Sequence, residues 1–270
     1  MTIRGLLDRA LLAAARRAGE PEGLRFTERQ LYYELCRVLQ PLHRGPRRLP
    51  YTLAPPVRYR DFRAALAGRP EIGVLPPPAS RPAAALPPAE SDLYDYAFPR
   101  LLVCQDRSIA AMIRANGIHL EAACPVFAAA DLPLDARLTE ALDRAGGAVV
   151  HVLHDASPAG LACYRRIRDR YSPLLRVRPM GLAPRDAAAL HLTAGRSPTP
   201  YRGPLPPGMR AGERAWLAAG RFSEVAAVPP ARLLRTVIRG VRGEGVPARL
   251  PVRHRLRGLR GSGFLTWPSP

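Results

Sequence analysis

An α/β fold is predicted for this chain of 270 residues, and three observations predict it. Apolar runs of strand length alternate with helical patterns from Leu101 to Met180, the mark of βαβ units and a parallel sheet with flanking helices. Three short helical patterns come first, each ended by Gly or Pro at Gly19, Pro41 and Gly68. Between the two regions Pro76, Pro77, Pro78, Pro82, Pro87 and Pro88 cluster, and such a stretch can neither continue a helix nor sit in a central strand.

Taken in order, the patterns place helices near 3–18, 28–39 and 58–67 and an extended piece over Glu71–Leu75. Three small helices with a β wing read as a winged helix-turn-helix over residues 1–75. Residues 76–97 form the Pro-rich linker. The α/β region, 98–194, holds strands at Leu101–Cys104, Ile118–Cys124, Ala148–His154 and Leu174–Met180. Helices at Arg107–Ala115, Leu134–Ala145 and Pro158–Arg170 alternate with them, and Gly117 and Gly146-Gly147 fall where helix C-caps belong. Residues 195–240 are a loop and helical extension, and 241–270 a basic, flexible tail.

The net charge is +19, and every one of the 41 basic residues is Arg. Absence of Lys reads as codon bias in a GC-rich genome, but codon bias does not explain the surplus of charge. Residues 1–70 carry 14 Arg against 6 acids, whereas 101–194 carry 11 against 9, so the core is nearly balanced and the ends are basic. A polyanion, nucleic acid or an anionic membrane surface, is the implied partner. No stretch approaches about 18 uninterrupted apolar residues, and Asp8 and Arg9 interrupt the first apolar run. A transmembrane span is thereby excluded, a signal peptide is disfavoured, and a cytoplasmic protein without a membrane partner is expected. Cys36, Cys104, Cys124 and Cys163 are too widely spaced for a zinc site and read as buried free thiols.

Two stretches carry chemistry. In Phe26-Thr27-Glu28-Arg29-Gln30-Leu31-Tyr32-Tyr33-Glu34-Leu35, Thr27 and Gln30 form a capping box and Phe26 and Leu31 a hydrophobic staple. At about 100° per residue Tyr32 joins the core face with Leu31 and Leu35, while Tyr33 points outward between Arg29 and Arg37. Guanidiniums there would favour phenolate and hold a phosphodiester, as a Tyr attacking DNA requires; an ordinary exposed Tyr on a DNA-contacting helix fits the same pattern. The second stretch is the pair of strand ends, where ligands of open parallel sheets sit. One strand ends in Gln105 and Asp106, the other in Asp155 and Ser157. Asp155 with Asp106 could hold Mg²⁺, since that ion commonly takes one or two protein carboxylates; equally, Asp155 and Ser157 could turn the chain and cap the next helix. His151 and His154 are given no catalytic role.

Together these stretches resemble the winged-helix plus TOPRIM family typified by the A subunit of topoisomerase VI and its meiotic double-strand-break relatives. Thr27-Glu28-Arg29-Gln30-Leu31-Tyr32-Tyr33 is similar to that family's Arg-x-x-Tyr-Tyr helix, and the resemblance implies Tyr33 as the nucleophile. Leu102-Val103-Cys104-Gln105 is similar to the first TOPRIM strand, and Leu153-His154-Asp155-Ala156-Ser157-Pro158-Ala159-Gly160 to the Asp-x-Asp-Pro-x-Gly turn. Gln105 stands where that pattern has Glu, and Ser157 where it has the second Asp. Gln cannot shuttle a proton, and it is a weaker ligand for a hard cation. What the resemblance implies is a TOPRIM-like parallel sheet, DNA as partner, Mg²⁺ at Asp155, an ATPase partner subunit and a homodimer; Asp106 as a second Mg²⁺ ligand and Arg29 and Arg37 as DNA contacts come from the residues themselves. The charge, Gln105 and Ser157 favour a DNA-binding member with a decayed metal site and a binding or scaffold role. The alternatives are an active Tyr- and Mg-dependent DNA-cleaving enzyme, and a module that binds RNA or an acidic protein.

Overall fold

In the computed structural model, residues 3–78 and 99–243 are described, apart from 22, 47, 135, 173–174, 199–200, 202, 204 and 206–207. Most of the Pro-rich linker and the basic tail beyond Gly243 lie outside the described residues.

Helices α1 (Ile3–Ala18), α2 (Glu28–Leu39) and α3 (Tyr59–Ala67) open the chain where the patterns place them. α2 starts where its cap chemistry dictates. Thr27 Oγ1 accepts from the Gln30 backbone N–H at 3.1 Å and Gln30 Oε1 accepts from that of Thr27 at 3.0 Å, satisfying two otherwise orphaned donors. The extended piece over Glu71–Leu75 amounts to a single parallel bridge between Leu75 and Thr27.

The α/β region runs β1 (Arg100–Cys104), α4 (Arg107–Ala115), α5 (Ile118–Glu121), β2 (Val126–Ala128), α6 (Ala136–Arg144), β3 (Val149–Leu153), α7 (Pro158–Tyr171) and β4 (Arg176–Pro179). The four strands make one parallel sheet in the order β2-β1-β3-β4. One expectation needs correction: Ile118–Cys124 is not a strand. Gly117, at φ 73°, ends α4 and the next residues take a helical turn; pairing begins only where the Pro125 carbonyl accepts from Leu102 N–H at 2.9 Å. A short apolar run does not by itself distinguish the two states.

Beyond the sheet come α8 (Pro184–Ala189), β5 (Gly195–Arg196), α9 (Ala211–Ala218), β6 (Arg221–Phe222) and α10 (Pro230–Arg242), with β5 and β6 pairing antiparallel. The helical part of the extension expected over 195–240 is therefore broken in the middle: α9 stops before Gly220, at φ 73°, and Pro229 and Pro230 set φ for the start of α10.

Alternation along the strands splits the core in two. Leu101, Val103, Val150 and Val152 pack on Leu138 and Leu142 of α6 and Ile167 of α7. Leu102, Cys104 and Leu153 face the other way, into a core shared with Ile109 of α4, Leu234 of α10, Leu31 of α2 and Leu11 of α1. The helices before the Pro-rich stretch and the sheet after it thus bury one apolar interior. No described helix is long and apolar enough to cross a membrane, and all four cysteines are buried free thiols.

Candidate functional site

Strand order locates the site. From β1 the chain steps to β2 on one side and then returns to β3 on the other, so the connections diverge at β1 and β3. The crevice beyond the carboxyl ends of such a pair is where open α/β sheets bind ligands. Gln105 and Asp106 follow β1, and Asp155 and Ser157 follow β3.

Each of these side chains is occupied by the backbone. Gln105 Oε1 accepts from Asp155 N–H at 2.9 Å, stitching the two strand ends together. Ser157 Oγ accepts from Gly160 N–H at 3.0 Å and caps α7. Asp106, exposed, accepts from Ser108 N–H at 2.6 Å and caps α4. Asp155 Oδ1 accepts from Val225 N–H at 2.7 Å. Gly160 is required where it stands, since a Cβ there would lie 2.2 Å from the Asp155 carbonyl oxygen and 2.9 Å from Gln105 Oε1.

The segment after β6 completes the site. Ala156 and Ser223 exchange both backbone hydrogen bonds, at 2.9 and 3.0 Å, which lays Glu224 beside α2. Arg29 donates to both Glu224 oxygens, at 2.5 and 2.6 Å, and stacks on the Tyr59 ring at 4.5 Å. Its guanidinium also lies 3.5 Å from the Tyr33 hydroxyl. Arg29, Tyr33, Glu224 and Asp155 therefore form one polar cluster joining α2 to the end of β3.

Two expectations for this helix are overturned. Tyr33 does not point outward; it is 3% exposed, because α2 is covered by the Val225–Ala227 turn. Arg37 does not flank it on the surface. It is buried, donating to Glu34 at 2.8 and 3.2 Å and to the Ala227 carbonyl at 2.5 Å. The electrostatics of Tyr33 change with its position. Burial, then the nearby Glu224 carboxylate, hold its hydroxyl above the ordinary phenol range, and Arg29 opposes them without prevailing. Burial likewise pushes Asp155 up to about 7, with Glu224 and Asp106 adding to the effect and the Val225 N–H opposing it. For Arg29, burial works against the charge, but the bond to Glu224 and the Tyr33 and Tyr59 hydroxyls outweigh it.

These donors do not fit a resident Mg²⁺. The oxygens of Gln105 and Ser157 are spent on backbone N–H groups, and Asp155 and Asp106 each give one oxygen to the same kind of partner. Among the described residues no group of three or more His, Cys, Asp or Glu is arranged to hold a metal. His151 is buried in the sheet, and burial with Arg178 and Arg100 nearby lowers it to about 4. His154 packs against Gly181, where an added Cβ would come within 2.3 Å of the ring.

Glu224 is the residue that sequence reasoning missed. Its signal was present: it is the sole acid between Glu213 and Glu244, in a stretch otherwise basic and apolar. No protein-family model, curated protein or solved structure matches this chain.

Proposed function

We propose that this chain binds DNA through its arginine surplus without cutting it, as a winged-helix plus TOPRIM protein with a decayed cleavage site and a binding or scaffold role. The DNA part draws on the net charge of +19. The non-cleaving part is carried by one observation: the guanidinium beside the candidate nucleophile is claimed by both carboxylate oxygens of Glu224, with Tyr33 buried behind it. A phenol held protonated and away from solvent is a poor nucleophile, and neither Gln105 nor Ser157 can serve as acid or base. In this role the chain holds DNA for another subunit, the ATPase or a second copy.

The test incubates the purified protein with supercoiled plasmid and Mg²⁺ or Mn²⁺, comparing wild type with Tyr33→Phe and Asp155→Ala. The expected result is binding that weakens steeply with salt, by about 0.9 in log–log slope per neutralised phosphate, with no cleavage or covalent adduct. A Tyr33-dependent adduct would overturn it. That outcome would support the second reading, a Tyr-dependent strand-cleaving enzyme. One observation favours that reading: the Glu224 carboxylate faces the Tyr33 hydroxyl, so release of Arg29 from Glu224 would leave a general base beside the phenol.

A further inference from the structure

A cavity of about 320 Å³ opens away from the strand-end cluster, where the last turns of α1 and α2 meet residues 189–192 and the first turn of α10. Arg17, Arg37, Arg44 and Arg232 line it, with His43 and His191. Among the described residues that line it, none is acidic. The carboxylate beneath it is Glu34, buried, 2.8 Å from Arg37 and 3.8 Å from Arg17. Arg17, Arg37 and Arg44 against that carboxylate leave an excess of two positive charges around a concave space.

Helix dipoles account for part of this, since Arg17 and Arg37 stand in last turns where cations are favoured. They do not account for Arg44, on the turn Pro41–Arg44, or for the space the four residues enclose. The wall is built rather than loose. The His191 ring has one nitrogen 2.9 Å from the Leu49 carbonyl and the other 3.3 Å from that of His43, and it stacks on Tyr51 at 4.0 Å. Tyr51 in turn donates to the Leu42 carbonyl at 2.5 Å. His191 adopts φ 50°, uncommon for a residue with a Cβ, and these contacts are what hold it there.

The excess of like charge calls for an anion, and the size limits which one. About 320 Å³ is at the lower end of the ~300–1,000 Å³ range of small-ligand sites, too little for a duplex and enough for one phosphorylated group. The planar guanidiniums of Arg17 and Arg44 match a phosphate with two parallel hydrogen bonds each, while Arg37, bonded to Glu34 and the Ala227 carbonyl, adds its charge. We propose that this cavity is a phosphomonoester site, filled by a free nucleotide or by the phosphorylated end of a nucleic-acid strand. The inference does not rest on duplex binding, and duplex binding does not require it.

Calorimetry on the full chain tests it, with inorganic phosphate, adenosine monophosphate, and a short single-stranded oligonucleotide with either a 5′-phosphate or a 5′-hydroxyl. Arg44 is exposed, so Arg44→Gln leaves the fold intact; Arg60, 73% exposed and outside the cavity, gives the charge-matched control Arg60→Gln. The expected result is saturable binding of adenosine monophosphate that weakens about tenfold or more in Arg44→Gln and Arg17→Gln and is unchanged in Arg60→Gln. If the 5′-phosphorylated strand beats its hydroxyl twin in an Arg44-dependent way, the source is a strand end. If the two strands bind alike while the nucleotide binds, the source is a free nucleotide. A second reading comes from the wild type alone. Burial, then Arg17, Arg37 and Arg44, hold His43 below its ordinary range, so a bound dianion should raise its midpoint in an NMR titration. No saturable binding up to about 10 mM phosphate or nucleotide, or equal loss in Arg60→Gln, would overturn the proposal, and neither result bears on duplex affinity.

Discussion

Two clusters on α2 use arginine in opposite ways. At the strand-end site Arg29 is neutralised by Glu224, with Asp155 nearby, and the charge is internal bookkeeping of the fold. At the cavity near the C-terminal end of the same helix, guanidiniums outnumber the one carboxylate among them. A net charge of +19 is silent on this difference. What decides whether an arginine is available to a phosphate is the acid folded against it, and Glu224 and Glu34 each settle that locally.

The comparison is broken most forcefully at Glu34. Glu34→Gln leaves Arg37 buried and uncompensated, and it should cost about 3 kcal/mol or more in urea unfolding, because breaking one side of a buried pair strands a charge. A loss below about 1 kcal/mol would mean that solvent reaches Arg37.

Next in size are two opposed pH effects within the sheet. Asp155, about 7 in the fold against 3.8 in an unfolded chain, binds a proton on folding between those values; its contribution is intact below about pH 4 and is lost as pH rises to 7. His151, about 4 in the fold against 6.5 unfolded, does the reverse, and its contribution is lost as pH falls from 6.5 towards 4. Asp155→Asn should therefore gain on the order of 2 kcal/mol over wild type at pH 8 and nothing at pH 3.5. His151→Val should remove the acid-side loss. Parallel pH profiles for wild type and both variants would contradict the burial assigned to these groups.

At the paired site Arg29→Gln should destabilise by about 1–2 kcal/mol, since Glu224 would keep a partly buried charge without its partner. At the cavity Arg44→Gln should change thermal stability by less than about 0.5 kcal/mol and in the direction of a gain, as like-charge repulsion is relieved. Equal losses at both positions would erase the distinction between the two clusters.

Local chemistry made much of this fold legible in the sequence. The Thr27–Gln30 box set the start of α2, Gly117 and Gly146-Gly147 marked helix ends at φ 73°, 58° and 116°, and the strand-end turn at Asp155 was placed on β3. The shift of β2 to Val126–Ala128 was not legible, because a short apolar run carries no period of its own. Tyr33 shows the deeper limit. Its angle on the helix, away from Leu35, is legible within α2, but a second surface, Glu224 to Ala227, covers that side. No pattern within α2 could announce a lid supplied from so far along the chain.

That distance has a consequence for how the molecule is made. The Arg29–Glu224 pair closes a separation of 195 residues, and the exchange between Ala156 and Ser223 anchors it. On the ribosome, α2 is finished long before its cover exists, so Tyr33 waits beside an unclaimed guanidinium until the segment after β6 emerges. The strand-end cluster therefore matures late, with only α10 still to join the interior, and a nascent chain halted before Glu224 would show solvent the very face that the finished protein hides.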